Sequence, residues 1–462
     1  MSVSMSSPSG NGSATVNGTT CSEGVLRAVP LPCREKTGNP DPIRSLFPPE
    51  DRPDVISLLA GKPNSNTFPI TSLQFTTHDP QSPSEDVTLE LNADDLAIAL
   101  QYTETAGLPE LCEWVYGFQG CYHGRQKGEG WKVSIGAGSQ DMINKAVAAL
   151  VNPGDPVLVE APVYVGIIPI FQSLDCEMIE VETDAEGICS QSIREILESW
   201  PAFKPKPRVL YTIPYGCNPT GMTASRKRRL EVLELAREHG FLVLEDDPYY
   251  FLYYGKAERP PSYFALERGE PEVGRVLRFD SLSKVVSAGM RMGALSWPEP
   301  LVRAIDKHTA TANMQPSSLT QMIALKILQR WGYDGFKRHA DAVSGFYRQK
   351  RDAFEDAMKC HLAGLAEWTT PEAGMFVWFK LLLGDPGAAS ETDVHDSNHI
   401  IRTKALERGV LALPGTAFFP SGATTAYVRA SFSIPPSDRV DEALRRLREV
   451  ILDARTSGPQ RA

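Results

Sequence analysis

From about residue 95 to residue 300, apolar runs of strand length alternate with segments of helical period, and this alternation limits the fold more than any other feature. Strands separated by helices favour a mostly parallel sheet covered on both faces. The runs PVLVEAPVY (156–164), RVLYTIP (208–214), FLVLEDD (241–247), RVLRFDSLSK (275–284) and MRMGALSWP (290–298) read as strands. SQDMINKAVAALVNPGD reads as a helix that Ser139 caps and Pro153-Gly154 ends. SRKRRLEVLELAREHG reads as another, with Ser225 as cap, Leu230, Leu233 and Ala236 on one face, and Gly240 as the stop. After about residue 315 the pattern changes to a long helical region (316–361), the strand-like AGMFVWFKL and YVRASFSI, a helix around 397–408, and a last helix in SDRVDEALRRLREVILDA. The expected fold class is therefore α/β: a large domain with a mostly parallel sheet flanked by helices, plus a smaller α+β domain.

Composition narrows the function classes. A net charge of −10 argues against a broad nucleic-acid surface. No apolar run approaches the roughly 20 residues of a membrane helix. The eight cysteines include no C-x-x-C pair, which suggests free thiols in a reducing, cytoplasmic setting. The eight histidines are scattered, and no metal site is expected; His395 and His399 read as part of a surface helix. Residues 1–22 carry no charged side chain, and 1–35 are expected to be a disordered tail. That stretch is Ser-rich and acid-poor, so organelle targeting stays open, although Arg27 is its first basic residue.

In open α/β sheets, ligands bind beyond the carboxyl ends of the strands. Those ends carry one consistent polar set here. Ser139 and Gln140 open a helix after the turn GAG (136–138), a ready anion site. Asn218 lies in NPTG, Asp246 ends a strand with Tyr249 three residues on, and Lys284 follows Ser283 with Arg291 downstream. Each element alone is weak: GAGSQD lacks the third glycine of a dinucleotide fingerprint, NPTG is a turn, and a lone lysine is usually solvated. Together they combine an amine nucleophile, a phosphate cradle and a carboxylate able to hold a pyridinium proton, which suits pyridoxal 5'-phosphate. The lysine must be neutral to attack a carbonyl, and the neighbouring arginine favours that form.

With these motifs the sequence resembles the fold-type I pyridoxal-phosphate aminotransferases of class I/II, closest to the aromatic, 2-aminoadipate and kynurenine aminotransferase group. The segments DPIRSLF, ISLLAGKPN, LQYTETAGLPEL, GAGSQDMINKA, NPTGMTAS, LEDDPYYFLYY, DSLSKVVSAGMRMG, AEWTTPEAGMFVW and YVRASFS carry the resemblance, from about residue 40 to the C-terminus. It implies Lys284 as the covalent anchor of the cofactor and the general base, and Asp246 as the partner of the pyridine nitrogen. It implies Asn218 and Tyr249 on the 3-oxygen, Tyr164 stacked on the ring, and Ser139, Gln140, Ser281, Ser283 and Arg291 on the phosphate. It implies Arg429 as the clamp on the substrate carboxylate, with Gly61 and Asn218 beside it, and Arg44 in a segment that caps the substrate. Tyr102 would reach the phosphate of a neighbouring subunit, so a homodimer with shared active sites is implied. Cys217, before Asn218, departs from the polar residue common at that place.

The resemblance implies amino-group transfer from an aromatic or 2-aminoadipate-like amino acid to a 2-oxo acid such as 2-oxoglutarate, by a ping-pong mechanism. A pyridoxal-phosphate lyase or decarboxylase on the same scaffold is the alternative, because the cofactor site alone does not fix the reaction. A transcription regulator would need a basic N-terminal reader domain, which residues 1–35 do not supply. At roughly 150 residues per domain, length alone suggests three domains. The motif spacing suggests two and a tail instead: a cofactor domain over 66–315, and a small domain made from 36–65 and 316–462.

Overall fold

Val157, Leu158 and Val159 have no exposed surface, nor do Val209, Leu210, Val243, Leu244 and Leu277, so the sequence's apolar runs lie at the centre of one sheet. The structure, a computed structural model, describes residues 52, 54–56, 58, 59, 61–383 and 396–457. A hairpin of β1 (Leu73–Asp79) and β2 (Ser82–Leu91) comes first. The large sheet follows, built from β3 (Trp131–Gly136), β4 (Pro156–Ala161), β5 (Glu177–Asp184), β6 (Gly187–Ile188), β7 (Val209–Thr212), β8 (Leu242–Asp247), β9 (Val276–Ser281) and β10 (Gly293–Pro298). Its order is β3-β10-β9-β8-β7-β4-β5-β6, with β5, β4, β7, β8 and β9 pairing in parallel. β10 runs antiparallel to both β3 and β9, and β6 antiparallel to β5. The α/β class expected from the alternation is the one observed.

A second, four-stranded antiparallel sheet has the order β11-β12-β14-β13, from β11 (Ala366–Trp368), β12 (Phe376–Leu381), β13 (Leu413–Pro414) and β14 (Tyr427–Ser431). The helix Ser318–Leu362 joins the two sheets, and it breaks at Gly332, whose φ of 59° and ψ of −177° are not helical. Its residues from Met322 to Ala340 pack into the core of the large sheet, and Phe354, Met358 and Leu362 into the core of the small one. Among the described residues no helix is long and apolar enough to cross a membrane.

Two of the helices expected from the sequence are observed with one correction each. Ser225 accepts from the Arg228 N–H and Gly240 closes the helix Arg226–His239 in the left-handed region, as expected. The buried face of that helix, however, is Arg229, Val232, Leu233, Leu235 and Ala236, while Leu230 is only partly covered. Arg229 can be buried because its guanidinium donates to the Ala224, Pro214 and Pro261 carbonyls and lies 4.0 Å from the Tyr215 ring centroid. Ser139 is not a cap: Gly138 holds the cap position and Ser139 is the first helical residue of Ser139–Leu150. His399 lies exposed on the short helix Ser397–Ile400; His395 is outside the described residues.

Candidate functional site

The sheet register puts three chain segments side by side. Gly293 on β10 pairs with Gly136 on β3 and with Ser281 on β9, so the GAG turn and the start of the SLSK loop face each other across one strand. Gly138 has φ 91° and ψ 164°, a region open in practice to glycine alone. A Cβ there would lie 2.4 Å from Arg291 Nη2, and one on Gly293 would lie 2.7 Å from the Ser139 nitrogen. Both glycines therefore let Arg291 and the helix N-terminus close on the same space. Arg291 Nη1 donates to Ser283 Oγ at 3.2 Å, Nη2 donates to the Ala137 carbonyl at 3.4 Å, and Ser281 Oγ accepts from the Ser283 N–H. Gln140 donates to the Gly166 carbonyl, close in sequence to Tyr164. A cation, hydroxyls and a helix N-terminus around one point form an anion cradle.

Asp246 lies inside β8, one strand over from the cradle, and is buried. Its Oδ2 accepts from the Tyr211 hydroxyl at 2.6 Å, while its Oδ1 is buried without a partner. Burial pushes the carboxyl up to about 6, against the Tyr211 hydroxyl and, after it, the Ser139 hydroxyl, both of which stabilise the anion. Tyr249 is also buried, and burial, with Asp246 nearby, drives its phenol well above the ordinary range. Tyr164 is half-buried and feels the charges of Asp246, Arg429 and Arg291. Lys284 sits in the loop after β9; burial, with the Arg291 cation, holds its amine below the ordinary lysine range. A lowered amine pKa raises the neutral, nucleophilic fraction.

Arg429, on β14 of the small sheet, reaches the same place. Its Nη1 donates to Asn218 Oδ1 at 2.9 Å, its Nε is buried without a partner, and its guanidinium carbon lies 4.2 Å from the Phe376 ring centroid and 5.2 Å from that of Phe418. Burial lowers its pKa, and the Tyr249 and Tyr164 phenols oppose that. The structure thus brings together Lys284, Asp246, Asn218, Tyr249, Tyr164, Arg291, Arg429, Ser139, Gln140, Ser281 and Ser283. Two further expected residues lie open to solvent in the single chain. Gly61 is exposed, and a Cβ added to it would meet nothing within 4 Å; Tyr102 is 50 % exposed. Arg44 lies outside the described residues.

Two buried groups of the site escape sequence reading. Tyr211 belongs to an apolar run and looks like core. It pairs with Leu244 across β7 and β8, so Asp246 is two residues along the same face. A buried tyrosine usually needs a hydroxyl partner, and that need is the one signal the sequence offers. Glu160, on β4, accepts from Thr212 Oγ1 (2.6 Å), the Ile213 N–H (3.1 Å) and Cys217 Sγ (3.3 Å), and burial pushes it up to about 7. Cys217 therefore supports the loop before Asn218 from behind.

These residues fit pyridoxal phosphate on observations independent of its presence. The orphaned Asp246 Oδ1 suits a pyridinium N–H, and the cradle suits a phosphate. The Lys284 amine makes no hydrogen bond or ion pair among the described residues, so it is available for a covalent bond. No group of three or more His, Cys, Asp or Glu side chains among the described residues is placed to hold a metal ion.

Comparison with known proteins agrees. The family described as aminotransferase class I and II matches residues 73–447. The chain is 42 % identical over 416 residues to aminotransferase tdiD of Emericella nidulans, covering 90 % of this chain and 93 % of that one. It is 38 % identical over 414 residues to the mitochondrial kynurenine/alpha-aminoadipate aminotransferase of Bos taurus, covering 87 % and 92 %. The crystal structure of Pyrococcus horikoshii kynurenine aminotransferase, in complex with PMP, superposes with a TM-score of 0.71 at 28 % identity, covering 91 % and 96 %. None of these three is named as a lyase or decarboxylase.

Proposed function

The chain belongs to the class I and II aminotransferases, and from that premise we propose that this pyridoxal-phosphate-dependent transaminase moves the amino group of an aromatic or 2-aminoadipate-like amino acid to 2-oxoglutarate. The observation that carries the reading is Arg429. A guanidinium held by Asn218, flanked by Phe376 and Phe418, with one buried nitrogen unpaired, is built to receive a carboxylate by a bidentate pair. Phe376 and Phe418 beside the clamp suit a donor with a large flat side chain, as the names of the relatives suggest for those proteins.

When bound, pyridoxal phosphate supplies an aldehyde carbon that takes up the amino group and a ring that withdraws electrons from the substrate's α-carbon. The chain's own residues would do the rest. Lys284 would anchor the cofactor and, as a neutral amine, would take the proton from the substrate's α-carbon and deliver it to the carbon that was the cofactor's aldehyde. Asp246 keeps the ring nitrogen protonated. Asn218, its Oδ1 engaged by Arg429, keeps its Nδ2 to donate to the 3-oxygen, beside Tyr249. Tyr164 covers the ring, and Arg291, Ser139, Gln140, Ser281 and Ser283 hold the phosphate. Gly61 and Arg44 would complete the substrate side.

The same reading makes the enzyme a homodimer in which Tyr102 crosses to the partner's phosphate. The exposure of Ile56 and Leu58 in the single chain supports a covering partner. It divides the chain into a cofactor domain over about 66–315 and a smaller one from 36–65 and 316–462, and two buried cores joined by the long helix support this. We also place the enzyme in the cytoplasm, with organelle targeting by the Ser-rich residues 1–35 as the alternative; the six described cysteines, all free thiols, support a reducing compartment.

A donor screen with 2-oxoglutarate, reporting kcat/KM for each amino acid, tests the proposal. Kynurenine, the aromatic amino acids or 2-aminoadipate should rank first, and borohydride should fix the cofactor to Lys284. Release of carbon dioxide without amino transfer would overturn it.

A further inference from the structure

Beneath the site, on the sheet face opposite to Asp246, lies a buried charge lattice that the reaction does not use. Side chains alternate across a strand, so Glu245 and Asp247 point away from the face that Asp246 occupies. The parallel register pairs Glu245 with Arg278, Asp246 with Phe279 and Asp247 with Asp280. Arg278, with no exposed surface, is thus surrounded by three acids on the ends of two neighbouring strands. Its Nη1 lies 2.8 Å from Asp247 Oδ2 and 3.3 Å from Glu245 Oε2, and its Nη2 lies 2.8 Å from Asp280 Oδ1. These are ion pairs, because none of the three guanidinium nitrogens meets hydrogen-bond geometry.

The lattice is braced on every side. Glu245 also accepts from the Tyr263 and Phe264 N–H groups, and Asp280 accepts from Gln119 Nε2 at 2.6 Å, which bridges on to Ser296 of β10. The Tyr250 ring centroid lies 5.2 Å from the Arg278 guanidinium carbon. Asp247 directly follows Asp246, and Asp280 directly precedes Ser281, which leads into Ser283 and Lys284. One guanidinium therefore grips the residue after the ring-nitrogen carboxylate and the residue before the phosphate and lysine loop.

We propose that Arg278 is a positioning residue that sets the distance between Asp246 and the Ser281–Lys284 loop by clamping Asp247 and Asp280 from the opposite face of the sheet. Removing a buried cation also strands three carboxylates, so destabilisation is expected in any case. What distinguishes positioning from mere support is its effect on the bound cofactor. A misplacement on the order of 1 Å costs up to roughly a hundredfold in rate. With the roles proposed for Asp246 and Lys284, a bound cofactor would meet both strand ends that the clamp joins, whereas the carboxylate clamp Arg429 is on another sheet.

The inference rests on the roles proposed for Asp246 and Lys284, and the test separates the two. Arg278→Met, Arg278→Lys and the milder Asp247→Asn are prepared as holoenzymes with a Lys284→Ala control. The absorbance of the bound cofactor, the cofactor Kd after dialysis, and kcat and KM are measured for each. Arg278→Met should shift the cofactor absorbance, weaken cofactor binding by about tenfold or more, and lower kcat by roughly ten- to a hundredfold with amino-acid KM little changed. Arg278→Lys should recover part of each loss, and Asp247→Asn should move the same readouts less far, which keeps the test open if Arg278→Met does not fold. A lower Tm with absorbance, cofactor Kd and kcat as in the wild type would overturn the proposal. Retention of a borohydride-fixed adduct by Lys284→Ala would instead overturn the underlying site assignment.

Discussion

Replacing Tyr211 by Phe removes a single oxygen atom from the buried floor of the site and keeps the ring that fills it. That oxygen donates at 2.6 Å to Asp246 Oδ2, while Oδ1 has no partner. Burial already pushes the Asp246 carboxyl up to about 6; the Tyr211 hydrogen bond opposes this most, and the Ser139 hydroxyl, which Tyr211→Phe leaves in place, opposes it less. A hydrogen bond to a charged acceptor contributes about 1.5–3 kcal/mol. At about 1.36 kcal/mol per tenfold change, its loss makes the carboxylate more basic by roughly ten- to a hundredfold. With Asp246 opposite the ring nitrogen, a more basic carboxylate draws the proton away from the ring and weakens its pull on electrons. Tyr211→Phe should then lower kcat by up to roughly the same factor, with KM little changed because Arg429 is untouched. The acid limb of the kcat profile, measured between about pH 5 and 8, should move to higher pH, since Asp246 is protonated sooner. A Tyr211→Phe enzyme with kcat and acid limb within about twofold of wild type would refute the reasoning, because a hydrogen bond of this kind cannot be lost for so little.

Other outcomes follow from the same geometry. In the cofactor-free protein, Asp246 has a raised folded pKa, so the stability it contributes is present below the unfolded value and is lost as pH rises through about 6. Asp246→Asn should therefore gain on the wild type by up to about 3 kcal/mol between roughly pH 4 and pH 7 in urea unfolding, and a difference independent of pH would contradict this. Gly138→Ala forces an alanine into backbone space that costs about 1–3 kcal/mol and pushes on Arg291. Its Tm should drop and its phosphate grip should loosen, read as at least about a tenfold weaker cofactor Kd by dialysis; an unchanged Kd would sever Arg291 from the phosphate. Arg429→Ala should raise KM for the amino acid and for the 2-oxo acid alike, lowering both kcat/KM values by about 2–5 kcal/mol, because one clamp serves both half-reactions. A loss confined to one substrate would refute a shared clamp.

How far the sequence foretells this site depends on where each residue's partners come from. Asp246, Lys284 and Asn218 are readable because each ends or follows an apolar run, and the GAG turn because it opens a helix; strand ends in a parallel sheet converge on one edge. β4, β7, β8, β9 and β10 are visible as apolar runs, whereas β5 has only one fully buried residue, Val181, and its mixed sequence EMIEVETD hides it. The hairpin of β1 and β2 is hidden for a related reason, its strands being half exposed. Ser139 reads as a cap because serine is a good cap, but Gly138, in a backbone conformation that only glycine adopts readily, already takes that position. Tyr211, Glu160 and Arg278 share a deeper obstacle. Each is a polar group inside an apolar run, and it is tolerable only because a partner arrives from another strand or the next loop: Asp246 for Tyr211, Thr212 and Cys217 for Glu160, Asp247 for Arg278. Spacing within a single run cannot reveal such pairs, but a polar residue in a fully buried strand nearly always implies a partner. In this sheet the partners of Tyr211 and Arg278 sit at Asp246 and beside it, so the polar residues that interrupt the apolar runs mark the floor of the site as surely as the strand ends mark its rim.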